Sequence, residues 1–369
     1  MNPGPVLTDP RVRNAMAGAD VCHREAEFAD LMARVADKLV AVADGDRRHA
    51  AVLLTGSGTA ALEAAVGSVV PPDGRLLVLD NGHYGDRLHR IATALGVPVR
   101  RMRGAEGHRI DLDEVARLLS ARHPATHVAL VHHETSSGVL NPLRPVVRLA
   151  HEAGAQVVVD AISSFGAEPL SLREDEVDWV VGSSNKCLEG VPGLSFVIGA
   201  RNGFDALPTD ARSFYLDLRR HYAAQYHAAA PAFTPAVPAC YALDAALGLV
   251  IAETPAGRHA RYARLAAVLR DGLGRLGLNC PVPEDERSVC LTVFPLPPGV
   301  SYTDLHHALK TRGFVIYAGQ AGFARDHFRL STMGQMTAAD VDGFLRAFRE
   351  VLAAPQARGD EHTPGGGVG

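Results

Sequence analysis

Two apolar runs in this chain end on residues that can do chemistry together. Val157-Val158-Val159 ends at Asp160, and Val177-Asp178-Trp179-Val180-Val181-Gly182-Ser183-Ser184-Asn185 leads to Lys186. Both runs read as strands buried on two faces, and in an open α/β sheet ligands collect outside the carboxyl ends of the strands. An aspartate and a lysine at two such ends can therefore converge on one small molecule. The cofactor that needs this pair is pyridoxal 5'-phosphate. A lysine amine holds it as a Schiff base, and a carboxylate keeps its pyridine nitrogen protonated so that the ring accepts electrons from a deprotonated substrate carbon. Lys186 and Asp160 are accordingly the candidate catalytic residues.

Such a cofactor also needs a phosphate cradle, and one stands upstream. Ala50-Ala51-Val52-Leu53-Leu54 reads as a strand, Thr55-Gly56-Ser57-Gly58-Thr59 as a tight loop, and Ala60-Ala61-Leu62-Glu63-Ala64-Ala65-Val66 as the helix it opens. Backbone amides at that helix start, with the Ser57 and Thr59 hydroxyls, can hold a dianion. Alone, a Gly-Ser-Gly turn between strand and helix is ordinary connection. The Walker lysine is missing, and position 61 is Ala where a dinucleotide fingerprint has its third glycine. The cradle gains weight from standing in strand, loop, helix order ahead of Asp160 and Lys186.

The elements that must position these groups follow from periodicity. Short apolar runs at 50–54, 75–80, 97–102, 126–131, 155–160, 177–182 and 195–199 alternate with helical patterns, which predicts a mostly parallel sheet covered on both faces. Residues 26–43 carry Phe28, Leu31, Met32, Val35, Leu39 and Val42 at helical spacing and form a packing helix. After helices running to about residue 275 the pattern changes. Strands are expected at 288–294, 313–317 and 327–332, with helices at 303–312 and 338–353, which makes a smaller α+β unit. The boundary is placed at 254/255, giving a large domain over 15–254 and a small one over 255–353. The stretch 354–369, rich in Gly, Pro and charge, reads as disordered.

Composition narrows the partners. The 369 residues are enough for a large core, and 47% apolar with 21% charged residues is ordinary globular usage. A formal net charge of −4 and no basic run argue against nucleic acid. Five cysteines without a Cys-x-x-Cys pair suggest a reducing cytoplasm rather than a disulfide frame or a zinc site. The opening Met-Asn-Pro-Gly-Pro is not a secretory leader. The most membrane-like stretch, 236–252, is interrupted by Pro238 and Asp244 and reads as a buried helix. His132 and His133 have no third ligand at metal-binding spacing, and Glu134 reads equally as a buried hydrogen-bond acceptor.

Several segments together resemble the 2-aminoethylphosphonate:pyruvate aminotransferases. They are Asn2-Pro3-Gly4-Pro5, Cys22-His23-Arg24-Glu25 with Glu27-Phe28, His133-Glu134-Thr135-Ser136-Ser137-Gly138 with Asn141-Pro142, Asp160-Ala161-Ile162-Ser163-Ser164-Phe165-Gly166, and Ser183-Ser184-Asn185-Lys186-Cys187-Leu188-Glu189-Gly190-Val191-Pro192-Gly193. The likeness runs from residue 2 to about 353. Its single motifs are shared with alanine:glyoxylate and serine:pyruvate aminotransferases, whereas the Asn-Lys-Cys run ending in Gly-Val-Pro-Gly is more particular to the phosphonate branch.

This resemblance implies a fold-type I pyridoxal-phosphate transferase acting as a homodimer with shared active sites, and a segment 1–14 near the site. It makes Lys186 the cofactor lysine and then the acid/base that moves a proton between the substrate carbon and the cofactor's C4′. Tyr84 would stack on the pyridine ring and Ile162 would lie against the other face. Ser57, Gly58 and Thr59 would bind the phosphate, Thr135 would stand near the 3′-oxygen, Asn185 would adjoin the cofactor, and Arg329 would grip the acidic end of the substrate. An arginine fork suits that task, because it matches carboxylate or phosphonate oxygens bidentately.

Two positions depart from the family pattern. Ala318-Gly319-Gln320 replaces the usual Pro-Gly-Lys, and Val237 stands where relatives carry a threonine that reaches the neighbouring subunit's cofactor phosphate, with Thr234 as its substitute. These changes point either to weaker phosphate binding or to a modified, for instance hydroxylated, aminoethylphosphonate. The expected activity is transamination between 2-aminoethylphosphonate and pyruvate. The rivals are alanine:glyoxylate or serine:pyruvate transamination and, from another reaction class, a lyase on the same cofactor. A non-catalytic pyridoxal-binding protein fits least, since Lys186 is intact and no DNA-binding unit is visible.

Overall fold

The computed structural model describes residues 1–353; the stretch 354–369, expected to be disordered, lies outside the described residues. A long helix α1 (Ala26–Val42) leads into β1 (His49–Thr55), α2 (Gly58–Val69), β2 (Leu76–Asp80), α3 (His83–Ala94), β3 (Val99–Arg103), α4 (Leu112–Leu119), β4 (His127–Val131), α5 (Leu143–Glu152), β5 (Gln156–Asp160), β6 (Trp179–Ser183) and β7 (Leu194–Ala200). These strands form one sheet in the order β1-β7-β6-β5-β4-β2-β3. The neighbours from β6 to β3 are parallel, and β7 alone runs against both of its neighbours.

Alternation along each strand explains the two covered faces. Ala51, Leu53, Val157 and Val159 join the apolar layer that includes α1 and α5, while Ala50, Val52, Leu54 and Val158 join the layer that includes α2 and α3. Successive side chains point to opposite sides of a strand, so a run that is apolar throughout must be covered twice. Each buried Val or Leu contributes roughly 1.5–3 kcal/mol relative to an exposed one. Parallel direction also delivers the carboxyl ends of β1, β2, β4, β5 and β6 to one edge.

The chain continues through α6 (Val237–Glu253) and α7 (Pro255–Gly274), which bend by 82° at Thr254, a residue with φ of 67°. Helix α6 is the stretch expected from its composition to be buried, and Ala239, Cys240, Leu243, Leu247 and Val250 face the core. No single helix among the described residues is long and apolar enough to cross a membrane.

A second, antiparallel sheet follows: β8 (Leu291–Pro295), then α8 (Tyr302–Lys310), β9 (Tyr317–Ala318), β10 (His327–Ser331) and α9 (Ala338–Ala353), with strand order β8-β10-β9. Its core joins Leu265, Leu269 and Leu273 of α7 to Phe294, Phe328, Phe344 and Phe348. Two expected strands are shorter than the sequence suggests. The run 313–317 yields only Tyr317–Ala318, because Gly313 (φ +87°) closes the end of α8, its amide bonding to the Lys310 carbonyl and that of Phe314 to the Leu309 carbonyl. The run 288–294 starts only at Leu291, since the Ser288 amide is taken by the Gly138 carbonyl and its hydroxyl by Glu168.

One glycine ties strand packing to the site. Gly182 lies in β6 against Phe196 of β7, and a Cβ at 182 would overlap that ring. Gly182→Ala is expected to destabilise the cofactor-free protein by about 1–3 kcal/mol, as overpacked cores do. A urea midpoint equal to the parent's would contradict this packing account.

Candidate functional site

At the carboxyl edge of the large sheet lies a cleft of about 160 Å³. Nine residues singled out from the sequence line it: Ser57, Gly58, Thr59, Tyr84, Thr135, Asp160, Ile162, Asn185 and Lys186. Arg87, His133, Ser163 and Ser183 complete the wall with Val131. Arg329 and Thr234 are not part of this lining. Arg329 reaches its rim through the Thr135 carbonyl, whereas Thr234 is exposed and lines a separate cavity with Thr55, Tyr215 and Phe233.

The cradle is built by the turn from β1 into α2. Ser57 is in extended conformation at the helix N-cap and its hydroxyl makes no capping bond, so it stays available to a ligand. The first amides of a helix have no partner within it, and its dipole favours an anion at this end. Gly58 is demanded by a close approach, because a Cβ there would sit 2.6 Å from Ile162 Cδ1. Any larger residue would push the cradle away from the apolar wall that Ile162 forms.

Asp160, at the end of β5, is 3% exposed. Its Oδ1 accepts the Ile162 amide at 3.0 Å, and its Oδ2 lies 3.4 Å from Arg87 Nη2. Burial pushes this carboxyl above its ordinary range, against the pull of the Arg87 guanidinium and the Ile162 amide. Arg87 also stacks its guanidinium 4.6 Å from the centre of the Tyr84 ring, and its Nε is buried without a partner. A nearly buried carboxylate with one long ionic contact suits a protonated ring nitrogen as its further partner.

Helix α3, which carries Tyr84 and Arg87, is fixed from below by Glu134. This fully buried carboxylate accepts the amides of Tyr84 at 3.2 Å, Gly85 at 3.1 Å and Ser136 at 3.2 Å. Glu134 is therefore the buried acceptor that was one of its two sequence readings. The two histidines beside it are committed as well: His132 Nδ1 to the Ser164 hydroxyl and His133 Nδ1 to the Ser163 carbonyl, each at 3.0 Å. Burial lowers the pKa of both, that of His132 to about 4.

Lys186 follows β6 by three residues. Its amine is pulled down to about 8, chiefly by burial, with Arg87 and Arg329 pushing the same way. Its Nζ donates to the Pro3 carbonyl at 2.6 Å, so the chain's first residues pass directly over the lysine. The neutral amine is the form that attacks a carbonyl carbon, and a group at about 8 supplies far more of it at physiological pH than an ordinary lysine does. Together the free hydroxyl and amides of the cradle, the underpaired Asp160 and the softened Lys186 fit pyridoxal phosphate at its three ends.

Arg329, on β10, is 4% exposed. Its Nε donates to the Ala318 carbonyl at 2.8 Å, and its Nη1 to the Thr135 carbonyl at 3.1 Å and to Gln320 Oε1 at 2.8 Å. All three acceptors are uncharged, so this buried cation has no carboxylate partner among the described residues. Burial lowers its pKa, with the Tyr84 phenol pulling the other way. The bidentate grip expected from sequence is modified, because Nε and Nη1 are already occupied and Nη2 is the nitrogen left for a ligand.

Sequence reasoning missed Arg87, the Pro3 carbonyl and the bond from Arg329 to Gln320. Arg87 had a usable signal, standing three residues after Tyr84 on a helix, where side chains share a face. Backbone groups such as Pro3 O carry no residue-type signal. Gln320 was visible only as a departure from pattern.

A model of the family described as "Aminotransferase class-V" matches residues 11–345. Proteins named 2-aminoethylphosphonate--pyruvate transaminase are similar over nearly the whole chain. The one from Pseudomonas entomophila is 37% identical over 356 residues, covering 95% of this chain and 96% of that protein. The one from Syntrophobacter fumaroxidans is 36% identical, covering 95% of each. Among solved structures, the alanine--glyoxylate aminotransferase of Nostoc sp. superposes with a TM-score of 0.90 at 29% identity, over 95% of this chain and 94% of that one. The subgroup IV aspartate aminotransferase of Thermus thermophilus gives 0.86 at 31%, over 95% and 97%.

The lowered lysine pKa makes a rate prediction. Because only the deprotonated amine attacks, uptake of pyridoxal phosphate by the cofactor-free protein is expected to accelerate as pH rises and to level off above about 8. Stopped-flow absorbance checks this, and a rate still climbing steeply through pH 10 would contradict a buried, softened Lys186.

Proposed function

The chain belongs to the aminotransferase class-V family, and we propose that it uses pyridoxal phosphate to interconvert 2-aminoethylphosphonate plus pyruvate with phosphonoacetaldehyde plus L-alanine. The observation that carries this reading is the buried, carboxylate-free Arg329 beside a cleft holding Lys186 and Asp160. Likeness to proteins of that name over 95% of the chain supports the substrate.

When bound, pyridoxal phosphate supplies an electron sink for the bond broken at the substrate's amine-bearing carbon. The chain's residues do the rest. Ser57, Gly58 and Thr59 would hold the phosphate at the start of α2, Asn185 and Thr135 would adjoin the cofactor, and Tyr84 and Ile162 would shield its ring from water. Asp160 would keep a proton on the ring nitrogen; its contacts with Arg87 and the Ile162 amide favour the carboxylate form that this needs, against the opposing effect of burial. Lys186 Nζ would hold the cofactor as its Schiff-base amine and, when free, would serve as the acid/base for the substrate's proton. Arg329 Nη2 fixes the phosphonate of the donor and then the carboxylate of pyruvate, so one cation serves both partners in turn.

The functional unit in this reading is a homodimer in the cytoplasm. Thr234 is exposed and does not line its own chain's cleft, as befits a group serving a second copy. Phe214 and Tyr215, 71% and 39% exposed beside Phe233, offer apolar surface for that copy to cover. Five free cysteines agree with a reducing compartment.

Alanine production from pyruvate is expected to show a higher kcat/KM for 2-aminoethylphosphonate than for L-serine or glycine. A preference for the amino acids with glyoxylate as acceptor would move the protein to the alanine:glyoxylate branch. Arg329→Met is expected to lower kcat/KM for the phosphonate about 100-fold, the scale of one charge-assisted grip, with cofactor affinity retained. Asp160→Asn is expected to cost about 10²–10³-fold in kcat, as loss of a preorganised electrostatic partner does. Full activity in either variant would contradict the assigned roles.

A further inference from the structure

The chain's first residues form a strap across the lysine. Met1 accepts the Ser331 amide through its carbonyl at 3.2 Å, the Val6 amide donates to the Asn185 carbonyl at 3.4 Å, and the Leu7 carbonyl accepts the Gln335 amide at 3.0 Å. The strap is thus fastened to β10 and the loop after it on one side, and to the residue before Lys186 on the other. Asn2 shapes its turn, with Oδ1 accepting the Gly4 amide and Nδ2 donating to the Pro5 carbonyl, both at 2.9 Å. Pro3 is buried, and its carbonyl takes the hydrogen bond from Lys186 Nζ at 2.6 Å.

Gly4 shows how closely the two fit. It has φ of +130°, and a Cβ there would lie 2.6–2.7 Å from Cδ, Cε and Nζ of Lys186. Asp160, Arg87, Arg329, Cys187 and His133 are the charged or titratable groups acting on the amine, yet its hydrogen bond among the described residues goes to none of them.

A transaminase lysine spends part of each cycle unlinked from the cofactor, and an unlinked amine on a four-carbon stem is free to wander unless something holds it. We propose that the Pro3 carbonyl is the docking point of the released Lys186 amine, holding one N–H so that the nitrogen lone pair stays aimed into the cleft for proton transfer. Pro3 is then a positioning residue acting through its backbone, and Gly4 is the residue that lets the strap come close enough. The free amine has two or three hydrogens, so it can give one to the Pro3 carbonyl and keep others for the cleft. The inference rests on the transaminase reading for its place in the cycle, but the contact itself does not.

Gly4→Ala and Asn2→Ala test it. The first drives a methyl into the lysine; the second loosens the turn without placing any atom near the amine, and so covers the case in which Gly4→Ala fails to fold. The first readout is uptake of pyridoxal phosphate by cofactor-free protein as a function of pH. A carbonyl acceptor stabilises the protonated amine more than the neutral one, so weakening the contact is expected to lower the midpoint by about half a pH unit or more. The second is single turnover with 2-aminoethylphosphonate deuterated at the amine-bearing carbon. Gly4→Ala is expected to slow it about tenfold and Asn2→Ala about threefold, each with a larger isotope effect than the parent. An unchanged midpoint with an unchanged isotope effect, even if cofactor affinity falls, overturns the proposal and leaves the strap a mere cover. The uptake readout uses no amine donor, so a parent protein that transaminates nothing would sink the function and leave this contact testable.

Discussion

The site depends on a carboxylate that the fold buries without fully satisfying. Asp160 sits at the end of a strand covered on both faces and is 3% exposed, so little water solvates it, and its partners are one amide at 3.0 Å and one guanidinium at 3.4 Å. Burying a charge in this way costs several kcal/mol unless it is paired and hydrogen-bonded. Such a cost is tolerated where a bound cation supplies the missing partner, and a protonated pyridine ring would do so in the proposed reading. Arg87 then sets how much of the charge survives before the ring arrives.

Around that carboxylate, rigid elements fix every other group. The parallel sheet brings the ends of β1, β5 and β6 to one edge, which sets the spacing of cradle, ring partner and lysine. Glu134 ties the start of α3 to the same edge through two amides, so Tyr84 and Arg87 are held against the sheet. Arg329 comes from the second sheet, yet its hydrogen bond to the Thr135 carbonyl crosses to the segment that follows β4 of the first. A site spread over two sheets and an N-terminal strap is held largely by bonds between backbone groups and side chains of Glu134, Asp160, Lys186 and Arg329.

Much of this was legible because the informative residues end apolar runs. Strand positions in the large sheet emerged within two residues of the sequence reading, since in every strand but the edge strand β3 runs rich in Val, Leu, Ile and Ala are buried on both sides and leave little ambiguity. The same logic named Ser57, Gly58, Thr59, Asp160 and Lys186, which share one cleft with Tyr84, Thr135, Ile162 and Asn185, the four named through the family resemblance. It weakened in the second sheet, where Gly313 and Phe314 close a helix instead of extending a strand; a glycine followed by apolar residues fits both uses. Arg329 was found by motif, but its occupied Nε and Nη1 depend on carbonyls that no side-chain pattern reveals. The contact between Pro3 and Lys186 was beyond reach for the same reason, joining residues at opposite ends of the large sheet's chain through a backbone oxygen.

The central claim is that Lys186, Asp160 and Arg329 act on one cofactor and one anionic amine. The most direct measurement is the visible spectrum of the pyridoxal-phosphate-loaded protein as 2-aminoethylphosphonate is added with no keto acid present. The account predicts that the band of the lysine-linked cofactor disappears as the amine is consumed stoichiometrically, and that pyruvate restores it with release of alanine. A band that the phosphonate leaves untouched, or a loaded protein with no such band, would contradict the account.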